Sequence, residues 1–559
     1  MKGNPRHADW GVIMAVENLY QKFCTEEFDE RGVLNRFSVQ CPSRFNFSYD
    51  VVDEIARQEP DRRAMVWCNP EGEERIFTFG DMKRFSDKTA SMLAARGITK
   101  GDKVMLILKR HYEFWFSILA LHKLGAVVCP ATHLLTQKDL VYRFEAGDIK
   151  AVICSLEGEI SDCVLEAAKQ CPEVRLLYGV RGKKEGFLDF DSEMEVASGE
   201  VTRPEQSCYD DMLMFFTSGT TGYPKMVMHD FSYPLAHIIT ARHWQNCRPD
   251  GLHLTVSDTG WGKAVWGKLY GQWLMAAGIF VYDFDQFSPN SLLAMIEKYR
   301  ITTFCAPPTI YRFFVKEGMK GYDISSLEYA TTAGEPLNPE VYHRFLELTG
   351  LRLMEGFGQT ETTLIAANLV GMENKPGSFG RNSPLYDMDV VDGDDNSAPA
   401  GVPGEIVLRL KQDQHQFGLF SNYYKDADLS ERVCRNGIYH TGDVACKDED
   451  GYIWYVSRID DVIKSSGYRI GPFEVESVLM EHPAVLECAV TGVPHPMRGQ
   501  EVKATIVLTK GYSPSGELKK ELQDYVKEAT APYKYPRIID FVEELPKTIS
   551  GKIRRVELR

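Results

Sequence analysis

The residues that put the most chemistry into the fewest positions run from Phe216 to Met226, FTSGTTGYPKM. Thr217, Ser218, Gly219, Thr220, Thr221 and Gly222 offer hydroxyls and backbone bare of side chains, Tyr223 and Pro224 follow, and Lys225 closes the run with one cation. The apolar stretch DMLMFFT ahead of it reads as a strand, and a helix is expected from near His229. A loop of this composition between strand and helix can turn N–H groups and hydroxyls onto an anion, with the lysine as a point charge for terminal phosphates. Read alone, the same string is also compatible with a polar surface turn. The common nucleotide loop G-x-x-x-x-G-K-[ST] does not fit, because Gly222 is followed by Tyr-Pro-Lys rather than Lys-Ser or Lys-Thr.

An anion would have to be held by such local devices, because the chain as a whole is acidic. Its 64 basic residues stand against 79 acidic ones, for a net charge of −15, a bulk field that repels nucleic acid and acidic membrane surfaces. At 559 residues the chain is too long for one compact core and implies two to four domains or subdomains. Hydrophobic content of 44% with 26% charged residues is that of an ordinary folded protein. The thirteen cysteines are odd in number and scattered singly, without CxxC pairs or zinc spacing, which favours reduced thiols in a cytoplasm-like compartment. The start, MKGNPRHADWGVIMAVENLY, lacks the apolar segment of a signal peptide and mixes acids with bases, unlike a transit peptide. The most apolar segments, such as LYGQWLMAAGIFVY from Leu269, are too short to span a bilayer, so no membrane insertion and a cytoplasmic location are expected.

The elements that must position the loop follow an α/β rhythm. Apolar runs such as KVMLIL (103–108), AVVCPA (126–131), KAVICS (150–155), GIFVYD (278–283) and ITTFCAP (301–307) alternate with helical patterns. FGDMKRFSDKTASMLAARG is one of these helices, with Gly97 placed as its stop. The alternation predicts a large layered domain of mostly parallel sheet. Between about 370 and 460, short strands (EIVLRL, GYIWYV) punctuated by DGDDNSAPAGVPG and DEDGY predict a small antiparallel or barrel-like section. After Asp460 the pattern reads helix (FEVESVLMEH), strands (LECAVTGV, KATIVLT), helix (GELKKELQDYVKEA) and strand (RIIDFVEE). This predicts a small α+β domain over 460–559, joined to a domain over 1–459 at a hinge in 458–461.

Six motifs arrive in order: TSGTTGYPK (217–225), TTAGEPL (331–337), EGFGQTE (355–361), YHTGDVA (439–445), SRIDDVIKSSGYRIGPFEVE (457–476) and LPKTISGKIRR (545–555). Together they resemble the signatures of acyl-adenylate-forming enzymes, the superfamily of acyl-CoA synthetases, amino-acid adenylation domains and firefly-luciferase-like proteins. SSGYRIGPFEVESVLMEHPAV and TAPYKYPR look most like the medium-chain acyl-CoA synthetases. The resemblance runs from about residue 45 to the end. It implies that a carboxylate attacks the α-phosphorus of ATP to give acyl-AMP and pyrophosphate, after which a thiol displaces AMP. Two anions meet in the first step, so positioning and electrostatic stabilisation carry most of the catalysis.

The resemblance assigns roles residue by residue. Lys552, in ISGK, would reach into the site and bridge carboxylate and phosphate oxygens, with Lys225 and Thr360 beside the phosphates. Glu361 suits Mg²⁺, a hard ion that takes carboxylate and phosphate oxygens. Gly334, Glu335 and Pro336 would pack on the adenine face. Glu355, Gly356, Phe357, Gly358 and Gln359 lead into Thr360 within the nucleotide site. Asp443 would accept from both ribose hydroxyls, with Arg458 and Arg469 near the ribose and phosphates. Asp460 matches the family's hinge position, about which a mobile small domain can serve the two half-reactions in turn. For coenzyme A, Gly467 would let the pantetheine arm pass, flanked by Ser466 and Tyr468, with Arg498, Lys527, Tyr535, Pro536 and Arg537 as the grip.

The acyl pocket departs from the family pattern. Acetate-specific relatives carry tryptophan where this chain has Gly358, so an acid longer than acetate is expected. DTGWGKAVWG resembles the tunnel lining, with Trp261 as a wall and Gly262 beside it. Lys263 falls where medium-chain relatives have an aliphatic residue, and Cys305 where glycine is usual. A lysine there must be paired, neutralised or turned outward with its head in water. The expected activity is therefore an AMP-forming acid–CoA ligase for a medium-chain, branched short-chain or aromatic acid. Two other readings stay open: an adenylating enzyme that delivers to a carrier protein, and a catalytically silent nucleotide-binding protein. Oligomeric state is left open.

Overall fold

The computed structural model describes residues 15–217, 223–412, 414–466, 468–547 and 553–559, and only the backbone of Arg469. Ser218, Gly219, Thr220, Thr221, Gly222, Gly467, Lys552 and the Arg469 side chain lie outside what is described.

Short apolar runs between helices pair into two large sheets. In the first, Val127–Pro130, Lys103–Ile107, Ile149–Ser155 and Leu176–Val180 run parallel, and Asp211–Thr217 joins them parallel to Val127–Pro130. In the second, six neighbouring strands are parallel, in the order Leu353–Gly358, Tyr329–Thr332, Thr303–Ala306, Leu252–Thr255, Gly278–Tyr282 and Arg63–Cys68. Leu252–Thr255, Gly278–Tyr282 and Thr303–Ala306 are buried at every position, as strands covered on both faces must be. The helix Phe79–Ala95 starts on a reciprocal Thr78/Asp81 cap and ends just before Gly97, whose φ of +88° is the left-handed turn expected there.

One apolar core runs between the sheets and is anchored by fully buried Trp67, Trp115, Trp244 and Trp273. Each indole N–H meets a backbone carbonyl, those of Arg110, Lys268, Met354 and Ala64. Each pairing spares the buried ring an unsatisfied donor, which would cost about 1–3 kcal/mol.

One sequence expectation is corrected. His229 does not open a helix. It lies in the strand Lys225–Asp230, which pairs antiparallel with Asp211–Thr217 on one side and with Asn422–Tyr423 on the other. Met226, Val227 and Met228 are buried in succession, and the helix waits until Tyr233–Ile238. The 218–222 segment therefore connects two antiparallel strands, and a helix N-terminus is not what faces an anion there.

Beyond these layers, Met388–Val391, Gly404–Arg409, Cys434–Arg435, Ile438–Lys447 and Ile453–Arg458 form the expected antiparallel section. That sheet ends at Arg458, and the next begins at Ile463 without a shared ladder. Ile463–Ser465, Tyr468–Ile470, Val485–His495, Gly499–Leu508 and Ile538–Val542 make up this last sheet, packed with the helices Pro472–Glu481 and Gly516–Ala529 around a separate core. It meets the larger body where Asn338 Nδ2 donates to the Ser477 carbonyl at 3.1 Å and the Tyr455 and Phe473 rings lie 6.0 Å apart. No described helix is long and apolar enough to cross a membrane.

Candidate active site

Parallel strands deliver their carboxyl ends, and the loops after them, to one edge of the sheet, where ligands of α/β proteins bind. Thr217, Cys305, Thr332 and Gly358 stand at or next to such ends. Thr217 and Lys225 are cross-strand partners, so both ends of the Gly/Thr/Ser segment sit side by side. Lys225 Nζ lies 5.3 Å from the centroid of the Tyr423 ring. Tyr223 and Pro224 are tied to a neighbouring helix instead: Tyr223 stacks on Tyr142 at 4.6 Å, and the Tyr142 hydroxyl donates to the Pro224 carbonyl at 3.1 Å.

The segment from Glu355 to Glu361 is held from several sides. The Glu355 carboxyl is buried, and its Oε1 accepts the Leu337 N–H at 2.9 Å, bracing the loop that carries Gly334, Glu335 and Pro336. Its Oε2 is buried with no hydrogen-bond partner among the described residues. Burial raises this carboxyl well above the usual range, against the pull of the Leu337 N–H. Glu335 accepts from the Thr309 hydroxyl at 3.1 Å. Gly356 gives way to the Trp244 ring, which a Cβ would meet at 2.8 Å, and Phe357 stacks on Phe379 at 4.7 Å.

The Thr360 carbonyl accepts from His229 Nε2 at 2.7 Å. Burial pushes this imidazole down to about 4, so it is neutral and Nε2 carries the proton that a carbonyl acceptor demands. The Glu361 carbonyl accepts the Phe420 N–H at 2.7 Å, and its Oε1 accepts the Tyr423 hydroxyl at 2.8 Å.

A second chain of contacts runs from Gln359 toward Arg458 and Asp460. Tyr439 donates to Gln359 Oε1 at 2.7 Å, and Gln359 Nε2 donates to Asp443 Oδ2 at 2.5 Å and to the Thr441 carbonyl at 2.8 Å. Arg458 Nη1 donates to the same Asp443 oxygen at 3.0 Å, while its Nε lies 3.7 Å from Asp460. Asp443 is thus a buried carboxylate with aligned donors, a group able to accept from a diol.

In the acyl segment, Trp261 precedes the short helix Gly262–Gly267. Lys263 is partly buried, and its Nζ donates to the Ala333 carbonyl at 2.7 Å, so the head is received by protein, where the bare sequence also allowed an ammonium left to water. A Cβ on Gly334, whose φ is +108°, would come within 3.3 Å of that ammonium. Cys305 is fully buried at the sheet end. Gly358 is placed under a different constraint from the one expected: a Cβ there would strike the Thr363 carbonyl oxygen at 2.4 Å, so the backbone just ahead of the adjoining strand Leu364–Ala367 itself requires glycine.

The described residues assigned to coenzyme A lie in the last unit, in turns, on the helix Gly516–Ala529 and beside its strands. Ser466 takes a φ of +51°; its N–H donates to the Arg498 carbonyl at 2.9 Å and its hydroxyl accepts from Arg498 Nη1 at 3.3 Å. Lys527 and Arg537 flank the Tyr535 ring at 4.3 Å and 4.5 Å, and Gln523 ties down the Pro536 carbonyl. Glu501 lies between Arg498 and Arg537, at 3.8 Å and 3.7 Å.

Four contributors escaped the sequence reading: His229, Tyr423, Tyr439 and Tyr533, the last stacked on Tyr468 at 4.1 Å. Tyr439 and Tyr533 lie inside quoted motifs, YHTGDVA and TAPYKYPR, where a signal was present; nothing local distinguishes Tyr423 in NYYKDAD.

Comparisons with known proteins agree with this fold. Residues 52–424 match the model of the AMP-binding enzyme family, and residues 474–552 that of the AMP-binding enzyme C-terminal domain. The chain is 42% identical over 541 residues to the acyl-coenzyme A synthetase ACSM4, mitochondrial, of Rattus norvegicus, covering 95% of this chain and 93% of that one. It is 40% identical to ACSM3, mitochondrial, of Homo sapiens, over 99% and 96% of the two chains. Among solved structures, an anthranilate CoA ligase in complex with anthranoyl-AMP superposes with a TM-score of 0.85 at 27% identity, covering 93% of this chain and 97% of that one. A benzoate CoA ligase from Burkholderia xenovorans superposes at 0.80 and 25% identity, over 92% and 100%.

Proposed function

This chain belongs to the AMP-binding enzyme family, and we infer that it activates a carboxylic acid longer than acetate with ATP and transfers the acyl group to coenzyme A. It is an AMP-forming acid–CoA ligase. The observation that carries the reading is the linkage of Gln359, Asp443 and Arg458 beside Thr360 and Glu361, which gathers a diol acceptor and phosphate-side groups into one site.

In the first half-reaction a carboxylate oxygen of the acid bonds to the α-phosphorus of ATP, and the bond from that phosphorus to the bridging oxygen of pyrophosphate breaks. Negative charge builds on the phosphoryl oxygens, where Lys225, the Thr360 hydroxyl and Lys552 are suited to meet it. Asp443 accepts from the ribose hydroxyls, and Gly334, Glu335 and Pro336 lie along the base, with the Glu355 carboxyl as a buried polar group behind them. Thr217, the residues 218–222 and Lys225 enclose the outer phosphates.

Glu361 fits a divalent cation. Its Oε1 is engaged by Tyr423, its Oε2 accepts no hydrogen bond from a described residue, and one carboxylate plus substrate phosphates is the usual holding for Mg²⁺. When bound, that ion supplies positive charge to the phosphate oxygens.

In the second half-reaction the thiol of coenzyme A attacks the acyl carbon and AMP leaves. The segment 460–559 acts as the mobile domain, turning about Asp460 in 458–461 against the body over 1–459. Ser466, Gly467, Tyr468, Arg498, Lys527, Tyr535, Pro536 and Arg537 hold the cofactor substrate. The two arginines and the lysine within forty residues of each other match its phosphates in charge. The acid is medium-chain, branched short-chain or aromatic, shaped by Trp261, Gly262, Lys263, Cys305 and Gly358.

A cytoplasmic location has the names of the relatives against it, since those are mitochondrial. All thirteen cysteines are unpaired, which fits a reducing compartment of either kind.

ATP–pyrophosphate exchange tests the reading. Purified protein with Mg²⁺ and a panel from acetate to octanoate, with branched and aryl acids, is expected to exchange only when an acid is present, and to form acyl-CoA on addition of coenzyme A. Absence of acid-dependent exchange across the panel overturns the ligase reading; a preference for acetate overturns the chain-length reading.

A further inference from the structure

The proposed cation ligand does not stand alone. Asn422–Tyr423 is a two-residue edge strand whose register on Lys225–Asp230 places Tyr423 opposite Val227. From there one buried ring reaches two charged residues of the phosphate side. Its hydroxyl donates to Glu361 Oε1 at 2.8 Å, and its centroid lies 5.3 Å from Lys225 Nζ. The same chain segment also grips the Glu361 backbone, whose carbonyl accepts the Phe420 N–H at 2.7 Å, and the Phe420 and Tyr423 rings pack at 4.7 Å. The Tyr423 N–H is in turn satisfied by Ser430 Oγ at 2.9 Å, which fixes the strap itself.

We propose that Tyr423 is a positioning residue that holds the Glu361 carboxylate in place for the divalent cation accompanying ATP. A glutamate has three side-chain torsions, and tying one oxygen to a buried phenol removes most of that freedom before the ligand arrives. A phenol is an O–H donor and a carboxylate an acceptor, so the contact has one direction, from ring to Glu361. Glu361 is only partly buried, so water replaces a deleted hydroxyl and leaves the charge on the carboxylate nearly unchanged. What is lost is its orientation. The ring has a second effect: its face beside Lys225 restrains a lysine that must meet phosphate oxygens.

The inference rests on the ligase reading for its cation and nucleotide, and the test separates the two. Mn²⁺ binding to the full-length protein is followed by electron paramagnetic resonance with a non-hydrolysable ATP analogue and no acid, alongside the Mg²⁺ dependence of acid-dependent ATP–pyrophosphate exchange. Tyr423→Phe is expected to weaken Mn²⁺ binding about tenfold, the low end for losing a group that orients a metal ligand, and to shift the Mg²⁺ midpoint equally. Its kcat at saturating Mg²⁺ should stay within about twofold of wild type. Tyr423→Leu removes the ring as well and is expected to raise the KM for ATP in addition. Unchanged Mn²⁺ binding by Tyr423→Phe overturns the proposal, as does a fall in kcat that saturating Mg²⁺ does not recover. Should Tyr423→Phe fail to fold, Glu361→Gln serves: unaltered Mn²⁺ binding in that variant also overturns it. A wild type without exchange whose Mn²⁺ binding still responds to Tyr423→Phe sinks the ligase reading and leaves this one standing.

Discussion

Lys263 Nζ donates to the Ala333 carbonyl at 2.7 Å, so a lysine of the acyl segment braces the loop assigned to the adenine face. The segments assigned to the acid and to the nucleotide are therefore joined by one side chain. Lys263→Leu removes the ammonium while keeping an apolar stem. The ratio of kcat/KM for hexanoate over a branched five-carbon acid is expected to rise about tenfold, the scale of a methylene or two in an apolar pocket. The KM for ATP should rise with it, because the Ala333–Gly334 loop loses a tether. An acid panel run at several ATP concentrations checks both; an unchanged order of acids would remove Lys263 from the pocket.

Gly358 was expected to matter by leaving room for a longer acid. Its close approach to the Thr363 carbonyl, 2.4 Å from a Cβ, makes a different demand. Gly358→Ala is expected to lower the melting temperature measurably, and Gly358→Trp to do so more strongly, before either changes the acid preference. Thermal unfolding beside the same acid panel separates backbone strain from pocket volume.

The buried Glu355 carboxyl predicts a pH effect with a definite sign. Its folded-state pKa is raised by burial, so the stability it contributes is complete below the ordinary glutamate value of about 4.3 and is lost as pH rises through the folded value. Glu355→Gln keeps an acceptor for the Leu337 N–H without a titrating group. The wild type should therefore lose melting temperature relative to Glu355→Gln as pH is raised from about 4.3 upward. Glu355→Ala orphans the buried Leu337 N–H and is expected to cost about 1–3 kcal/mol in urea unfolding.

Arg458 touches both Asp443 and Asp460, at 3.0 Å and 3.7 Å, and so connects the carboxylate assigned to the ribose with the residue assigned as hinge. Arg458→Ala is expected to slow adenylation at least about tenfold, the scale of a lost hydrogen bond between charged groups. Arg458→Lys should recover only part of this, since a lysine cannot reproduce the guanidinium contacts to Asp443 and the Thr441 carbonyl together. Exchange rates of the three proteins decide it.

Lys552→Ala is expected to suppress adenylation far more than thioester formation from supplied acyl-AMP. Equal loss in both half-reactions, measured separately, would count against the role assigned to that lysine.

Much of this protein was legible in its sequence. Motif order identified the kind of chemistry, and apolar periodicity predicted the parallel layers, the antiparallel section and the final α+β unit, because both signals are local: each needs only neighbours along the chain. The strand at Lys225–Asp230 shows where locality ends. His229 looked like the start of a helix until pairing on both edges made its segment a strand. The contacts that set the site are beyond local reach as well. His229 meets Thr360 across 131 residues, Lys263 meets Ala333 across 70, and Tyr423 meets Glu361 across 62. Each depends on which way a side chain points once two sheets and an edge strand have packed, and strand register and core volume, set by the whole fold, decide that direction.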